Sequence, residues 1–221
     1  MDVDFRLANG SGLPQHGAVF ILDEVMTSRL APGGLKSLLD VQPDMITLGK
    51  YLGGGMPFGA FGGLESIMSV YDPRVSGSLA HSGTFQNNTL MLRAGFVGLS
   101  EVFTPVAVHA LNARGDTLRE RLNACFQGTK FSVTGRGSLM CIHPLDGGNT
   151  AENISCLDDI SRVESRELRT LFWLEMLDAG YWIPARGSVA LNLQTPDEAL
   201  DGFIRAVGEF CEKHKDLVSV D

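Results

Sequence analysis

Two stretches decide how this chain reads: FILDEVMTSR at Phe20–Arg29, and ITLGKYLGGGMPFGAFGG at Ile46–Gly63. In the first, an apolar run ends on an acid, Asp23. In the second, an apolar run ends on a lysine, Lys50, just before the glycines Gly53, Gly54 and Gly55. Continuous apolar runs read as strands buried on both faces, and open α/β sheets bind ligands outside the carboxyl ends of parallel strands. The expectation is one carboxylate and one amine facing the same crevice at the rim of a small parallel sheet.

That pair suits carbonyl chemistry. A lysine amine in an apolar site loses its proton near neutral pH and can form a Schiff base, and pyridoxal phosphate supplies an aldehyde for it. The electron-sink ring of that cofactor needs a carboxylate beside its pyridinium nitrogen, a place open to Asp23. On spacing alone, a turn carboxylate at Asp23 and a solvated lysine at Lys50 fit the same residues.

The segments LDEVMTSRLAPGG (Leu22–Gly34), PDMITLGKYLGGGMPFGAFGG (Pro43–Gly63) and HSGTFQNN (His81–Asn88) resemble consecutive blocks of the class III, fold type I, pyridoxal-phosphate aminotransferases. The nearest subgroup holds glutamate-1-semialdehyde aminomutases and β-phenylalanine-type β-amino acid aminotransferases. The resemblance runs from about His16 nearly to the C-terminus. It implies Lys50 as the Schiff-base lysine, Asp23 as partner of the pyridine nitrogen and Val25 as packing against the ring face. Thr84 would match the threonine that reaches the cofactor phosphate of a neighbouring subunit, which implies a homodimer with shared sites. A capping threonine before a helix would carry the same local sequence.

Members of that family are about twice as long. The part expected to be missing here is N-terminal, and it carries the turn that holds the cofactor phosphate, the aromatic residue stacked on the ring and much of the substrate-carboxylate pocket. A phosphate is ordinarily held by backbone N–H groups at a helix N-terminus. The resemblance therefore implies pyridoxal 5′-phosphate as cofactor, but one this chain could have lost. Three readings follow: a transaminase or aminomutase acting on a small amino acid or amine; a shortened core reused for other biosynthetic chemistry or for binding; and a split enzyme completed by another chain.

Composition bounds the partners. The chain has 221 residues, 44% of them hydrophobic and 20% charged, with a net charge of −8. An acidic balance argues against nucleic acid or an anionic membrane surface, since both need a basic footprint. No apolar stretch approaches a membrane span and the N-terminus lacks a signal pattern, so a cytoplasmic protein is expected. Cys125, Cys141, Cys156 and Cys211 are scattered without metal-ligand spacing.

The expected fold class is α/β: a partial fold type I aminotransferase large-domain sheet followed by a small α+β C-terminal domain. Its divisions are an altered segment at 1–15, a partial large domain at 16–127 and the small domain at 128–221. Within them the pattern predicts a central strand at 18–22, a helical turn at 35–39 and strands at 45–48 and 58–61. Helices are expected at 64–70 and 88–99, and another starts with Thr104 as N-cap and Pro105 as first residue. After Gly128 come strands at 131–133 and 139–143, one helix over 157–177 stopped by Gly180, and strands at 181–183 and 189–193. A last helix opens with Thr195 and Pro196. Arg186, in the connection IPARGSV, is the candidate for a substrate carboxylate, because a guanidinium grips both oxygens at once; Arg136 is the second. His81 is assigned no role.

Overall fold

A computed structural model describes residues 17–145 and 156–220. The expected altered segment at 1–15 lies outside these residues. The described chain divides at His109/Ala110 into two compact units, whereas the sequence reading placed the division after Gln127.

The first unit is built on the sheet β1 (Ile21–Asp23), β2 (Met45–Gly49) and β3 (Gly59–Gly63), in that order. β1 and β2 run parallel, with Ile21 opposite Met45 and Asp23 opposite Thr47. β2 and β3 run antiparallel, with Gly49 opposite Gly59, so the sheet is mixed rather than parallel. The strand expected to be central is an edge strand, with Ile21 53% exposed. Its apolar residues are those of a buried strand, yet among the described residues only one side of it is paired.

Strand alternation sends the adjacent acids Asp23 and Glu24 to opposite faces. Asp23 is exposed, whereas Glu24 is 1% exposed and turned inward. There its carboxylate accepts from Leu35 N (2.9 Å), Lys36 N (2.8 Å) and Thr27 Oγ1 (3.0 Å). The two amides belong to the first turn of α1 (Gly34–Leu39), whose N–H groups have no partner within the helix. Gly34 sits at φ +75°, where a Cβ would stand 2.5 Å from Glu24 Oε1, so glycine alone fits.

Beyond β3 lie α2 (Glu65–Met68), extended by a 3₁₀ turn over Ser69–Tyr71, and α3 (Thr89–Val97), close to the expected helices. Asn88 caps α3, its Oδ1 accepting from Leu90 N and Met91 N. Thr104 caps α4 (Pro105–Cys125) by accepting from Ala107 N at 3.4 Å, and Pro105 is first in the helix, as expected.

The second unit packs helices on the antiparallel sheet β4 (Phe131–Arg136), β5 (Leu139–Pro144) and β6 (Ser188–Ala190). Its core is a ring cluster of Phe126, Phe131, Phe172 and Phe210, joined by Leu122, Ile142 and Val207. The residues of α4 in this unit lie close against the turn between β4 and β5. Asn112 Oδ1 accepts from Ser138 N, and Asp116 Oδ1 accepts from Gly137 N. Gly115 lies so near the Gly137 carbonyl that a side chain there would collide with backbone.

Three expectations fail in this unit for identifiable reasons. The single helix over 157–177 is two, α5 (Leu157–Val163) and α6 (Arg166–Asp178). The break lies at Glu164 and Ser165, where the backbone bridges back to β5: Glu164 pairs with Leu145 and Ser165 N donates to Pro144 O. The segment 181–183 is not a strand; the Ile183 carbonyl is taken by Trp173 Nε1 at 3.1 Å and Tyr181 N closes the end of α6 on Met176 O. The last helix, α7 (Asp197–Lys213), begins just after the Thr195 and Pro196 expected to open it, with Pro196 as its N-cap residue. Its buried Phe203, Ala206, Val207 and Phe210 keep the expected three- and four-residue steps. The short helix α8 (Lys215–Val218) follows it.

Candidate active site

Asp23 closes β1, and Lys50 directly follows Gly49, the last residue of β2. Because these strands are parallel neighbours, both side chains stand at the carboxyl end of the sheet. Asp23 Oδ1 accepts two hydrogen bonds at 2.9 Å, one from Val25 N and one from the hydroxyl of Thr47 on β2. Among the described residues nothing donates to Oδ2. The Val25 amide, then the Thr47 hydroxyl, hold the Asp23 carboxyl below the usual carboxylate range, and the charge of Lys50 adds to this against a small opposing effect of burial.

Lys50 sits at φ +57°, in the left-handed region that non-glycine residues rarely occupy. Such strain is sparse in proteins and concentrates where a side chain must be aimed. Val25 packs beside the same corner, since a Cβ on Gly49 would meet its two methyl groups at 3.5 and 3.7 Å. Behind it, burial raises the Tyr51 phenol.

The structure therefore brings Asp23, Val25 and Lys50 together. Thr84 lies elsewhere in the first unit, exposed in the turn over 84–87. That turn lines a separate cavity of about 830 Å³ with Phe61, Tyr71 and His81, and neither Asp23 nor Lys50 lines it. His81 packs edge-on against Phe61 and Tyr71, and its Nε2 is 3.0 Å from Gln86 Nε2. Arg186 belongs to the second unit, exposed, donating from Nε to Ser188 Oγ at 2.8 Å; Arg136 ends β4 and is exposed as well. Thr47 escaped the sequence reading. Its signal was a hydroxyl residue three positions before the lysine, inside an otherwise apolar strand.

A carboxylate with one oxygen occupied and one open, an amine just past the end of the next strand and an apolar side chain at the same corner suit a flat nitrogen heterocycle bearing an aldehyde. The donor set fits the ring end of pyridoxal phosphate on these grounds. No cluster of three or more His, Cys, Asp or Glu suited to a metal ion occurs among the described residues. No single helix among them is long and apolar enough to cross a membrane.

Residues 13–193 match the family Aminotransferase class-III. The chain is 48% identical over 202 residues to an uncharacterized aminotransferase of Schizosaccharomyces pombe, covering 91% of this chain and 45% of that one. It is 44% identical over 217 residues to the beta-phenylalanine transaminase of Variovorax paradoxus, covering 97% and 48%. The solved structure of the Variovorax paradoxus beta-phenylalanine aminotransferase superposes with a TM-score of 0.86 over 93% of this chain and 47% of that one. A transaminase solved with PLP bound superposes at 0.76 and 25% identity, covering 90% and 45%. The chain thus spans about half the length of these relatives. With its family match covering most of its length and its mixed α/β fold shared with them, it belongs to the class-III aminotransferases.

Proposed function

We propose that this protein works as a pyridoxal-phosphate-dependent transaminase on a small amino acid or amine, with Lys50 carrying the cofactor. The observation that supports this most is the ionised Asp23 carboxylate, fixed by Val25 and Thr47 with one oxygen open, beside Lys50 on the neighbouring strand. When bound, pyridoxal phosphate supplies an electron sink for the pair left behind as a bond to the amine-bearing carbon breaks.

The chain's own groups then have distinct tasks. Asp23 would hold the ring-nitrogen end of the group through its open Oδ2, and the two hydrogen bonds on Oδ1 keep the carboxylate charged and aimed. Val25 would supply an apolar wall for the group. Lys50 Nζ would hold the group's aldehyde and, when free, would serve as the base that moves a proton at the substrate carbon. Arg186 would take a substrate carboxylate, and Thr84 would bond a cofactor phosphate in a homodimer formed through the apolar side chains that α3 leaves in solvent, among them Leu90 at 72% exposure. The free cysteines suit a reducing compartment, and we place the protein in the cytoplasm.

Incubation with pyridoxal phosphate followed by borohydride tests the reading. A pyridoxyl mass is expected on the peptide carrying Lys50 and on no other lysine peptide at low cofactor, and Lys50→Ala should lose it. Labelling spread evenly over Lys36, Lys50, Lys130 and Lys213, or none at all, would turn the reading toward a reused core.

A further inference from the structure

Within the first unit, α3 meets the turn that carries Lys50 backbone to backbone. Lys50–Gly53 forms a 3₁₀ turn directly after β2, and Gly53 on that turn and Gly95 on α3 are both buried. A Cβ on Gly95 would collide with the Leu52 carbonyl oxygen and stand 3.7 Å from Gly53 Cα. Seen from the turn, a Cβ on Gly54 would run into the Ala94 carbonyl and stand 2.9 Å from Gly95 N. The turn is also tight at Gly53, where a Cβ would come within 2.6 Å of Phe58 Cβ. A second contact lies further along. The Tyr51 ring meets Phe103 edge-on, with centroids 4.9 Å apart, and Phe103 closes the π-helical turn Gly98–Val102 that continues α3. Glycine disfavours a helix interior, so the stability of α3 itself gives no reason for Gly95. The carbonyl it faces does.

Packed side chains absorb a small shift by changing rotamer, whereas two backbones in contact have nothing to yield. Lys50 meanwhile holds φ +57°, a conformation that persists only where its surroundings impose it. No side chain caps the start of its turn, and the bond that closes the turn, Gly54 N to Tyr51 O at 2.9 Å, starts from the glycine that lies against α3. We propose that Gly95 is a positioning residue for Lys50: α3, through the Gly95 contact and through Phe103, holds the turn in place and so sets the direction in which the Lys50 amine leaves the sheet. Gly98 supplies the contrast. A Cβ there would meet Gly54 Cα at an ordinary 3.6 Å, and its φ of −54° is one that alanine adopts freely. Alanine at two glycines one helical turn apart therefore separates helix propensity from contact with the turn. That the aim of Lys50 serves a cofactor rests on the transaminase reading; the hold on the turn does not.

NMR of the full chain carrying isotope-labelled lysine reads the Lys50 Cα resonance, which reports φ, with no cofactor present. Gly95→Ala should move the Lys50 Cα and amide resonances away from left-handed values and leave those of Lys36 and Lys130 in place. It should also slow pyridoxyl labelling of Lys50 about tenfold or more, since a misplacement of about 1 Å at a reacting group suffices for that. Gly98→Ala should change neither. A role for Gly95 in stability alone would lower the denaturation midpoint and leave the Lys50 resonances of the folded protein where they were. Phe103→Leu keeps an apolar side chain but removes the ring, should shift the Lys50 resonances as well, and decides the matter if Gly95→Ala does not fold. Unmoved Lys50 resonances in folded Gly95→Ala, equal shifts from Gly98→Ala, or unmoved resonances in Phe103→Leu would overturn the proposal. Shifted resonances alongside an unmutated protein that takes no pyridoxyl label on Lys50 would uphold the hold on the turn and tell against the transaminase reading alone.

Discussion

The hydroxyl of Thr47 reaches across the β1–β2 pair to Asp23 Oδ1 at 2.9 Å, so the residue that fixes the candidate carboxylate sits on the strand that leads to Lys50. Thr47→Val should move the Asp23 titration to higher pH, because it removes one of the two bonds that favour the charged form. Carboxyl NMR titration reads this directly, with Val25 N left as the remaining donor. An unmoved titration would mean that the hydroxyl contributes nothing to holding the charge.

Lys50 lies at φ +57°, where a side chain is strained and glycine is not. Lys50→Gly should therefore raise the unfolding free energy of the first unit, by about 1 kcal/mol relative to Lys50→Ala. Denaturant unfolding of the two variants gives the difference. A stabilised but unlabelled Lys50→Gly protein would mark the strain as maintained for function.

Glu24 holds the first turn of α1 through the Leu35 and Lys36 amides. Bonds to a charged acceptor are worth about 1.5–3 kcal/mol each, so Glu24→Ala should destabilise the first unit by about 3 kcal/mol or more. Gly34→Ala should destabilise the same corner by about 2 kcal/mol, through the clash with Glu24 Oε1 and the forbidden φ. Hydrogen exchange of the α1 amides checks both.

In the second unit, His143 is buried, with Nε2 2.9 Å from Thr134 Oγ1 and Nδ1 3.6 Å from Glu164 Oε1; Arg169 pairs with Glu164 at 2.5 Å. Burial pushes the His143 imidazole down and Arg169 adds to that, while Glu164 opposes it; burial is the largest influence. The unfolded chain then binds the proton more readily than the folded one. Stability contributed by neutral His143 is present above about pH 6.5 and falls as pH drops below it. Urea midpoints followed by tryptophan emission should show this slope, and His143→Gln should flatten it. Both tryptophans, Trp173 and Trp182, lie in this unit.

Leu90 on α3 is 72% exposed and Phe96 61%. If α3 forms the proposed homodimer contact, Leu90→Asp should weaken dimerisation about tenfold or more, the equivalent of 1.4 kcal/mol. Light scattering across a dilution series reads it. An unchanged dimer would place the contact elsewhere.

The parts of the site that announce themselves in sequence are those whose chemistry contrasts with their neighbours. An acid and a lysine each ending an apolar run, one before a glycine triplet, are visible without coordinates. Glu24 is not, because beside Asp23 it looks like a second surface acid and only the packing of α1 over it reveals otherwise. Thr47 is equally silent, since its meaning depends on strand register. The break between α5 and α6 could not be read either: Glu164 and Ser165 are compatible with a helix, and it is the long-range bridge to Leu145 that prevents one. The run from Ala18 to Leu22 read as interior because its composition is interior; its place at the edge depends on which strands surround it.

The opposite fates of Asp23 and Glu24 make the length of the run before them more constrained than its chemistry. Conservative replacement of Phe20 or Leu22 leaves each acid on its own face. Insertion or deletion of one residue there would invert the parity of the strand, turning Glu24 toward the amine and driving Asp23 under α1, where its shorter side chain cannot span to Leu35 and Lys36. A single lost codon in this segment should thus disable the pocket and unseat the helix together.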